Sequence, residues 1–139
     1  MTAQQRQKLL RAARAAMKHA YAPYSSFRVG AAILLRDGRI FSGCNVENAS
    51  YGLTICAERN AIFSAVANSP KKPEILAAVV VNHRNAPCSP CGACRQVLAE
   101  FGPRAVVCYP GADGIVQRSM QELLVDGFSL CPNEPDATR

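Results

Sequence analysis

The sequence predicts an α/β protein, a three-layer α-β-α sandwich on a mixed five-stranded sheet. Three features predict it. Helix and strand patterns follow one another in the order α-β-β-α-β-α-β-β-α. Asp37-Gly38 stands between two apolar strands as a hairpin signal. Two aliphatic runs, Ile75 to Val81 and Ala105 to Tyr109, flank a helix, the pattern of buried parallel strands joined by a right-handed crossover.

Taken in order, residues 3–20 read as the first helix. Thr2 with Gln5 fits a capping box, and Leu9, Leu10, Ala13, Ala16, Met17 and Ala20 make one apolar stripe. Pro23 and a turn-rich Tyr-Ser-Ser stretch end it. Val29 to Leu35 and Arg39 to Val46 are the hairpin strands. Thr54 is placed to cap a helix from about Ile55 to Asn68, which Pro70 and Pro73 close off. After Ile75 to Val81, Ser89 reads as an N-cap with Pro90 at the first helical position, and that helix runs to about Phe101, before Gly102. Beyond Ala105 to Tyr109, Asp113-Gly114 turns into a short edge strand at Ile115 to Gln117. Met120 to Leu124 makes a last short helix, and the tail after Cys131 is expected to be loose. No repeat or linker interrupts the chain, so residues 1–139 read as a single domain, long enough to build a core without staples.

Composition narrows the function classes. With 49% apolar and 19% charged residues the chain is ordinary for a globular protein, and no apolar run approaches the roughly 20 residues that span a bilayer. No membrane partner is expected. A net charge of +6 permits a nucleic-acid surface. The basic residues are scattered, however, apart from Arg6, Lys8, Arg11, Arg14 and Lys18, and no aromatic-interleaved basic stripe appears. The charge therefore reads as a solvated surface, with no nucleic-acid partner. Seven cysteines without a secretory apolar segment argue for a reduced, cytoplasmic protein in which thiols serve metal binding or catalysis. An acid-free first twenty residues would also suit a mitochondrial presequence, but the capping box and apolar stripe favour a packed helix.

The chemistry gathers at two helix starts. Pro90-Cys91-Gly92-Ala93-Cys94 puts two thiols at i and i+3 on one helical face, and Cys56 takes the matching place just inside the earlier helix. Free N–H groups and the positive dipole end favour the thiolates that a metal needs. Three thiolates and one open position describe a catalytic zinc, one Zn²⁺ per chain, rather than a closed structural one. Cys-x-x-Cys alone is weak evidence, shared with redox and structural sites. Cys56-Ala57-Glu58 sharpens it, because a carboxylate two residues after a ligand can move protons at the open position without binding the metal. This is the pattern of zinc nucleobase deaminases, with cysteine in place of histidine as first ligand. His19 and His83 are expected to face solvent. A structural four-cysteine site using Cys88 is the alternative, but it leaves Glu58 unexplained. Cys44 and Cys108 suit small buried apolar positions.

Four linked motifs then carry a resemblance. Tyr24-Ser25-Ser26-Phe27-Arg28-Val29-Gly30-Ala31-Ala32, Gly43-Cys44-Asn45-Val46-Glu47-Asn48-Ala49-Ser50-Tyr51, Cys56-Ala57-Glu58-Arg59-Asn60-Ala61 and Pro90-Cys91-Gly92-Ala93-Cys94-Arg95-Gln96 make the sequence similar to the small homotetrameric cytidine deaminases, from about Leu9 to Phe128. The resemblance implies a cytidine deaminase-like fold, and a homotetramer acting on a small-molecule nucleoside. The expected reaction is hydrolysis of cytidine and 2′-deoxycytidine to uridine and 2′-deoxyuridine plus ammonia, in pyrimidine salvage. It also implies a zinc on Cys56, Cys91 and Cys94, attack by metal-activated water at C4, and protonation of N3 and then the departing amine by Glu58. The Ala57 N–H would bind the base oxygen O2, and Phe27 would pack on the ring. Asn45 and Glu47 would bind the ribose 3′-hydroxyl, and Ala49 and Tyr51 would reach the sugar of a neighbouring subunit.

The residues agree with those roles. A carboxamide and a carboxylate two residues apart on a strand share a face and suit a polyhydroxyl ligand. A solvated strand end with an Asx turn is the bland reading, and Phe27 is as readily a core residue. Three thiolates outweigh Zn²⁺, so Arg59 beside the sulfurs would offset part of the excess charge. Arg95 is assigned surface or interface duty only. Where the family often has Leu-Leu-Pro before a phenylalanine that enters a neighbour's site, this chain has Leu123-Leu124-Val125, which leaves that contact by Phe128 open. Deamination of a base within nucleic acid, of a blasticidin-like antibiotic, or a non-catalytic zinc-stabilised module are the rival functions. Short loops and the Asn45–Tyr51 run count against the first two, and Glu58 against the last.

Overall fold

Hydrogen bonding joins five strands into one mixed sheet in the computed structural model of the protein, which describes residues 1–130. The elements are α1 (Ala3–Met17), β1 (Val29–Leu35), β2 (Ile40–Cys44), α2 (Ala57–Ala67), β3 (Ile75–Asn82), α3 (Gly92–Phe101), β4 (Val106–Gly111), β5 (Gly114–Ser119) and α4 (Met120–Leu123). The sheet order is β2-β1-β3-β4-β5. β1 runs antiparallel to β2 and β3, β4 antiparallel to β5, and β3 pairs in parallel with β4 across the α3 connection. The layered architecture predicted from the pattern is therefore the one observed.

All seven residues of β1 are buried because helices cover both faces of the sheet. On one face Leu9 and Ala13 of α1 pack against Ala32, Leu34 and Val79. On the other, Ile62 of α2, Leu98 of α3 and Met120 of α4 pack against Ile33, Ile75 and Val107. Each such aliphatic side chain contributes about 1.5–3 kcal/mol through burial. Two glycines set the helix-to-sheet distances. A Cβ on Gly30 would stand 2.1 Å from the Ala13 carbonyl oxygen, and one on Gly43 would stand 2.5 Å from the Ala61 amide nitrogen. Close approach to a neighbouring element accounts for glycine at both places.

The helix boundaries differ from expectation in ways that matter for the site. The Thr2–Gln5 capping box forms as read. α1 stops at Met17, however, because Lys18, His19 and Ala20 donate to carbonyls three residues back, tightening the last turn. Tyr21 can then pair with the chain at Val46. Ile55 does not enter α2. It is held extended by paired bonds with Val46 (2.9 and 3.0 Å), so the N-cap is Cys56 and not Thr54. The N-cap of α3 is likewise Cys91, with Ser89 and Pro90 outside the helix. The tail after Cys131 lies outside the described residues.

Candidate active site

α2 and α3 both open with cysteine as the N-cap, and neither side chain caps its own helix. The Cys56 and Cys91 sulfurs lie 3.9 Å apart, and the Sγ atoms of Cys56, Cys91 and Cys94 are all within 4.8 Å of one another. A tetrahedral zinc with bonds of about 2.3 Å separates its sulfur ligands by roughly 3.8 Å. The three sulfurs thus fit a zinc ion in number, chemistry and spacing. Cys88, needed for the four-cysteine alternative, is not part of this group. It packs beside Val29, Ala57 and Val80. Cys44 and Cys108 are partly and fully buried, and burial pushes both thiols up, as suits apolar roles.

Charge in the trio is uneven. The Cys56 thiol is lowered to about 5, chiefly by its hydrogen bond with Cys94 and further by Arg59. Cys94 is driven up by the same hydrogen bond and by burial. The Arg59 Nη2 donates to Cys56 Sγ at 3.5 Å and to the Thr54 carbonyl at 3.3 Å, and its guanidinium pKa is raised, above all by Cys56. Arg59 Nε is buried and without a hydrogen-bond partner among the described residues. An unsatisfied buried donor of this kind is characteristic of functional sites. Glu58, one residue inside α2, is only 4% exposed, and burial pushes its carboxyl up, with the Cys56 charge adding to the shift. A buried carboxyl whose pKa is raised in this way holds a proton more readily than an exposed one, as a group that passes protons requires. Ala57 is fully buried, at the first helical position, where the N–H has no intrahelical partner.

A cleft of about 340 Å³ opens nearby, lined by Tyr24, Ser25, Glu47, Tyr51 and Thr54. Asn45 and Glu47 lie just past the end of β2 rather than within a strand, and Val46 between them bridges both Tyr21 and Ile55. Asn45 is buried. Its Oδ1 accepts from the Val29 N–H at 2.8 Å and its Nδ2 donates to the Phe27 carbonyl at 2.8 Å. Glu47 accepts from the Tyr24 and Ser25 amides at 2.9 and 3.2 Å and from the Ser25 hydroxyl. That hydroxyl, more than the amides, holds the Glu47 carboxyl below the usual range. Both residues therefore order the 24–29 loop that carries Phe27. The Asx turn falls instead on Asn48, whose Oδ1 accepts from the Ser50 N–H at 2.9 Å. Phe27 is half-buried against Val29, Ala31, Ala57 and Val80, so one face of it is core.

Ala49 is exposed, and Tyr51 is 74% exposed with its ring edge-on to Tyr24 at 5.9 Å. Phe128 is not brought to this cleft. It is 70% exposed, beside α3, where its carbonyl accepts from Gln96 Nε2 at 3.1 Å. His19 faces solvent, but His83 is half-buried, accepts from the Arg28 N–H at 3.2 Å and meets Phe27 edge-on at 5.9 Å. Arg95 is also no plain surface residue, since its guanidinium bonds to Pro90, Ser89 and Leu123. The partners of Ser25 and His83, and Leu123 for Arg95, lie 22, 55 and 28 residues away, beyond the reach of a local pattern, whereas Arg95 meets Pro90 and Ser89 close by in sequence.

Known proteins share this geometry. The cytidine and deoxycytidylate deaminase zinc-binding region matches residues 3–110. A cytidine deaminase of Halalkalibacterium halodurans is 47% identical over 126 residues, covering 89% of this chain and 94% of the relative. One from Sporosarcina psychrophila is 45% identical over 125 residues, covering 88% and 90%. The crystal structure of cytidine deaminase from Burkholderia pseudomallei superposes with a TM-score of 0.81 at 48% identity, covering 92% of this chain and all of that one. Fold and trio define the class of zinc-binding deaminases. Within that class the chain belongs to the cytidine and deoxycytidylate deaminase family.

Proposed function

We propose that the protein is a zinc-dependent hydrolytic deaminase of cytidine and 2′-deoxycytidine, forming uridine and 2′-deoxyuridine plus ammonia in cytoplasmic pyrimidine salvage. The observation that carries this reading is the buried Glu58 carboxyl, two residues after Cys56, on the turn that brings Cys56 to Cys91 and Cys94. Cys56, Cys91 and Cys94 would hold one zinc per chain, within one domain spanning residues 1–139. When bound, zinc supplies the acidification that makes water nucleophilic at neutral pH.

The chain's own groups do the rest. Glu58 takes one proton of the attacking water and delivers it to N3, then takes the proton of the new C4 hydroxyl and delivers it to the amine, so that C4 becomes a carbonyl, the C4–N bond breaks and ammonia leaves. The free Ala57 N–H donates to O2 of the base. Phe27, packed on the core and overlain by the Arg84 guanidinium 5.7 Å from its ring centre, packs its accessible part against the pyrimidine ring. Glu47 keeps lone pairs beyond those tied to the 24–29 loop and accepts from the ribose 3′-hydroxyl, to whose oxygen the second Nδ2 hydrogen of Asn45 donates. Arg59 offsets the third thiolate. Ala49 and Tyr51, exposed in one chain, close the sugar site of a neighbour in a homotetramer.

The test is the fall in ultraviolet absorbance as cytidine becomes uridine, with and without a chelator, alongside blasticidin and a cytosine-containing oligonucleotide. Turnover of the free nucleosides alone, abolished by the chelator, is expected. Preference for the antibiotic or the polymer would replace this reading.

A further inference from the structure

α2 and α3 begin on the same plan, and the difference between them assigns a role to Arg95. Each has an uncapping cysteine at its N-cap, and each has an arginine inside its first turns that folds back over the preceding segment. Arg59 reaches both the Thr54 carbonyl and the Cys56 sulfur. Arg95 donates from Nε to the Pro90 carbonyl at 2.7 Å, from Nη2 to Ser89 Oγ at 3.3 Å and from Nη1 to the Leu123 carbonyl at 3.0 Å. Among the described contacts none of its bonds goes to a sulfur.

An N-cap side chain is normally fixed by its own bond to the helix. Cys91 lacks that bond, and its sulfur faces Cys56 instead. The peptide that leads into Cys91 must therefore be fixed from elsewhere. Pro90 has no N–H, so its carbonyl is the one backbone group through which that residue can be held by hydrogen bonds. Arg95 holds it. The far side of the same guanidinium is anchored on Leu123, in the last turn of α4, where carbonyls lack intrahelical partners. A planar fork can satisfy both directions at a fixed angle, which a single ammonium cannot.

We propose that Arg95 is a positioning residue of the metal site. It clamps the Ser89–Pro90 segment to the end of α4 so that Cys91 presents its sulfur beside Cys56 without rearrangement. The inference rests on the reading of Cys91 as a zinc ligand. Arg59 and Arg95 then divide the work between the two helices, the first moderating charge at the sulfurs and the second fixing geometry.

The experiment is zinc release from zinc-loaded protein to a chromogenic chelator, for wild type, Arg95→Lys, Arg95→Gln and Ser89→Ala. Loss of a supporting partner around a metal site usually weakens binding by about 10–100-fold. Release from both Arg95 variants should quicken on that scale, and from Ser89→Ala by less. The pH–rate profile of zinc-loaded Arg95→Gln should keep its position although the charge is removed, because Arg95 bonds to carbonyls and a hydroxyl and to no sulfur among the described contacts. Release from Arg95→Lys at the wild-type rate overturns the proposal and leaves Arg95 a packing residue. Ser89→Ala decides in the same way if the Arg95 variants do not fold. A displaced pH profile in Arg95→Gln also overturns it, since Arg95 would then act through charge. Wild-type protein that binds no zinc would refute the ligand assignment instead.

Discussion

Arg59 places its Nη2 3.5 Å from the Cys56 sulfur while its Nε lies buried without a partner. Among the described residues its guanidinium is held by the sulfur and by the Thr54 carbonyl, with Cys94 also beside it. A cation in that place would make Cys56 a weaker donor of negative charge to a zinc held there and so favour the acidification of water that zinc supplies. Arg59→Gln should retain zinc but deaminate more slowly, with the pH–rate profile displaced toward higher pH. An unchanged profile and rate would return Arg59 to a packing role.

Glu58→Ala should abolish turnover and leave zinc content and fold in place, because Glu58 moves protons and is not a ligand. General acid–base groups contribute about 10²–10⁴-fold, and one serving several steps should stand at or above the top of that range. Rate, zinc content and circular dichroism measured on one preparation check this. A variant nearly as fast as wild type would remove Glu58 from the mechanism.

Ser25 offers a test through pH. Its hydroxyl is the largest cause of the lowered Glu47 pKa. A depressed carboxylate stays ionised as the medium acidifies and loses its charge only when pH falls through its own lowered value. Sugar binding through Glu47 should thus persist below the ordinary Glu pKa of about 4.3. In Ser25→Ala the carboxyl returns toward that value, so KM should begin to rise at a higher pH than in wild type. Superimposable KM–pH curves would mean that Glu47 does not bind substrate as the anion.

The metal trio, Glu58 and the sheet were legible in the sequence because each depends on short-range patterns. Cys-x-x-Cys on one helix, Cys-x-Glu on another and two long aliphatic runs carry their own geometry. The N-caps were misplaced because Ser and Thr are the usual capping residues, whereas here Val46 holds Ile55 extended and Arg95 holds Pro90 outside the helix. The roles of Ser25 and His83, and the hold of Arg95 on Leu123, depend on pairings between distant segments, which no local pattern encodes. Ser119-x-x-Glu122, which forms a capping box at α4, was readable and passed over. Ala61 and Ala65 are fully buried, and their small size serves the approach of α2 to its own sheet.

That approach yields a further prediction. A Cβ added at Gly43 would stand 2.5 Å from Ala61 N, 2.8 Å from Ala57 O and 2.9 Å from Asn60 C, all backbone atoms of α2. Backbone cannot swing aside as a flexible side chain can, so Gly43→Ala must displace the helix that carries Cys56 and Glu58. Overpacking of this kind costs about 1–3 kcal/mol. Both the thermal midpoint and the turnover rate should fall. A variant with wild-type values of both would show that α2 can shift without disturbing the site.

The last prediction concerns assembly. Tyr51 is 74% exposed, Leu53 65%, Tyr24 49% and Val46 44%, so the cleft lined by Tyr24, Glu47 and Tyr51 and the segments next to it present large apolar side chains to the outside. Exposed apolar surface of this kind marks an interaction site, and closed symmetric assembly is the usual way for copies of one chain to cover it. In a homotetramer the rim of one chain would cover the cleft of the next, excluding water from the reacting base. Light scattering should then give about four times the 14.9 kDa chain mass. Glu58→Ala and Tyr51→Ala proteins should each be inactive or nearly so as pure assemblies. Dissociated and reassembled together, they should regain part of the wild-type rate, because a mixed interface can join an intact Glu58 from one chain to an intact Tyr51 from the other. A monomer fully active at assay concentration, or mixed assemblies with no more activity than the separate variants, would place Tyr51 within its own chain's site.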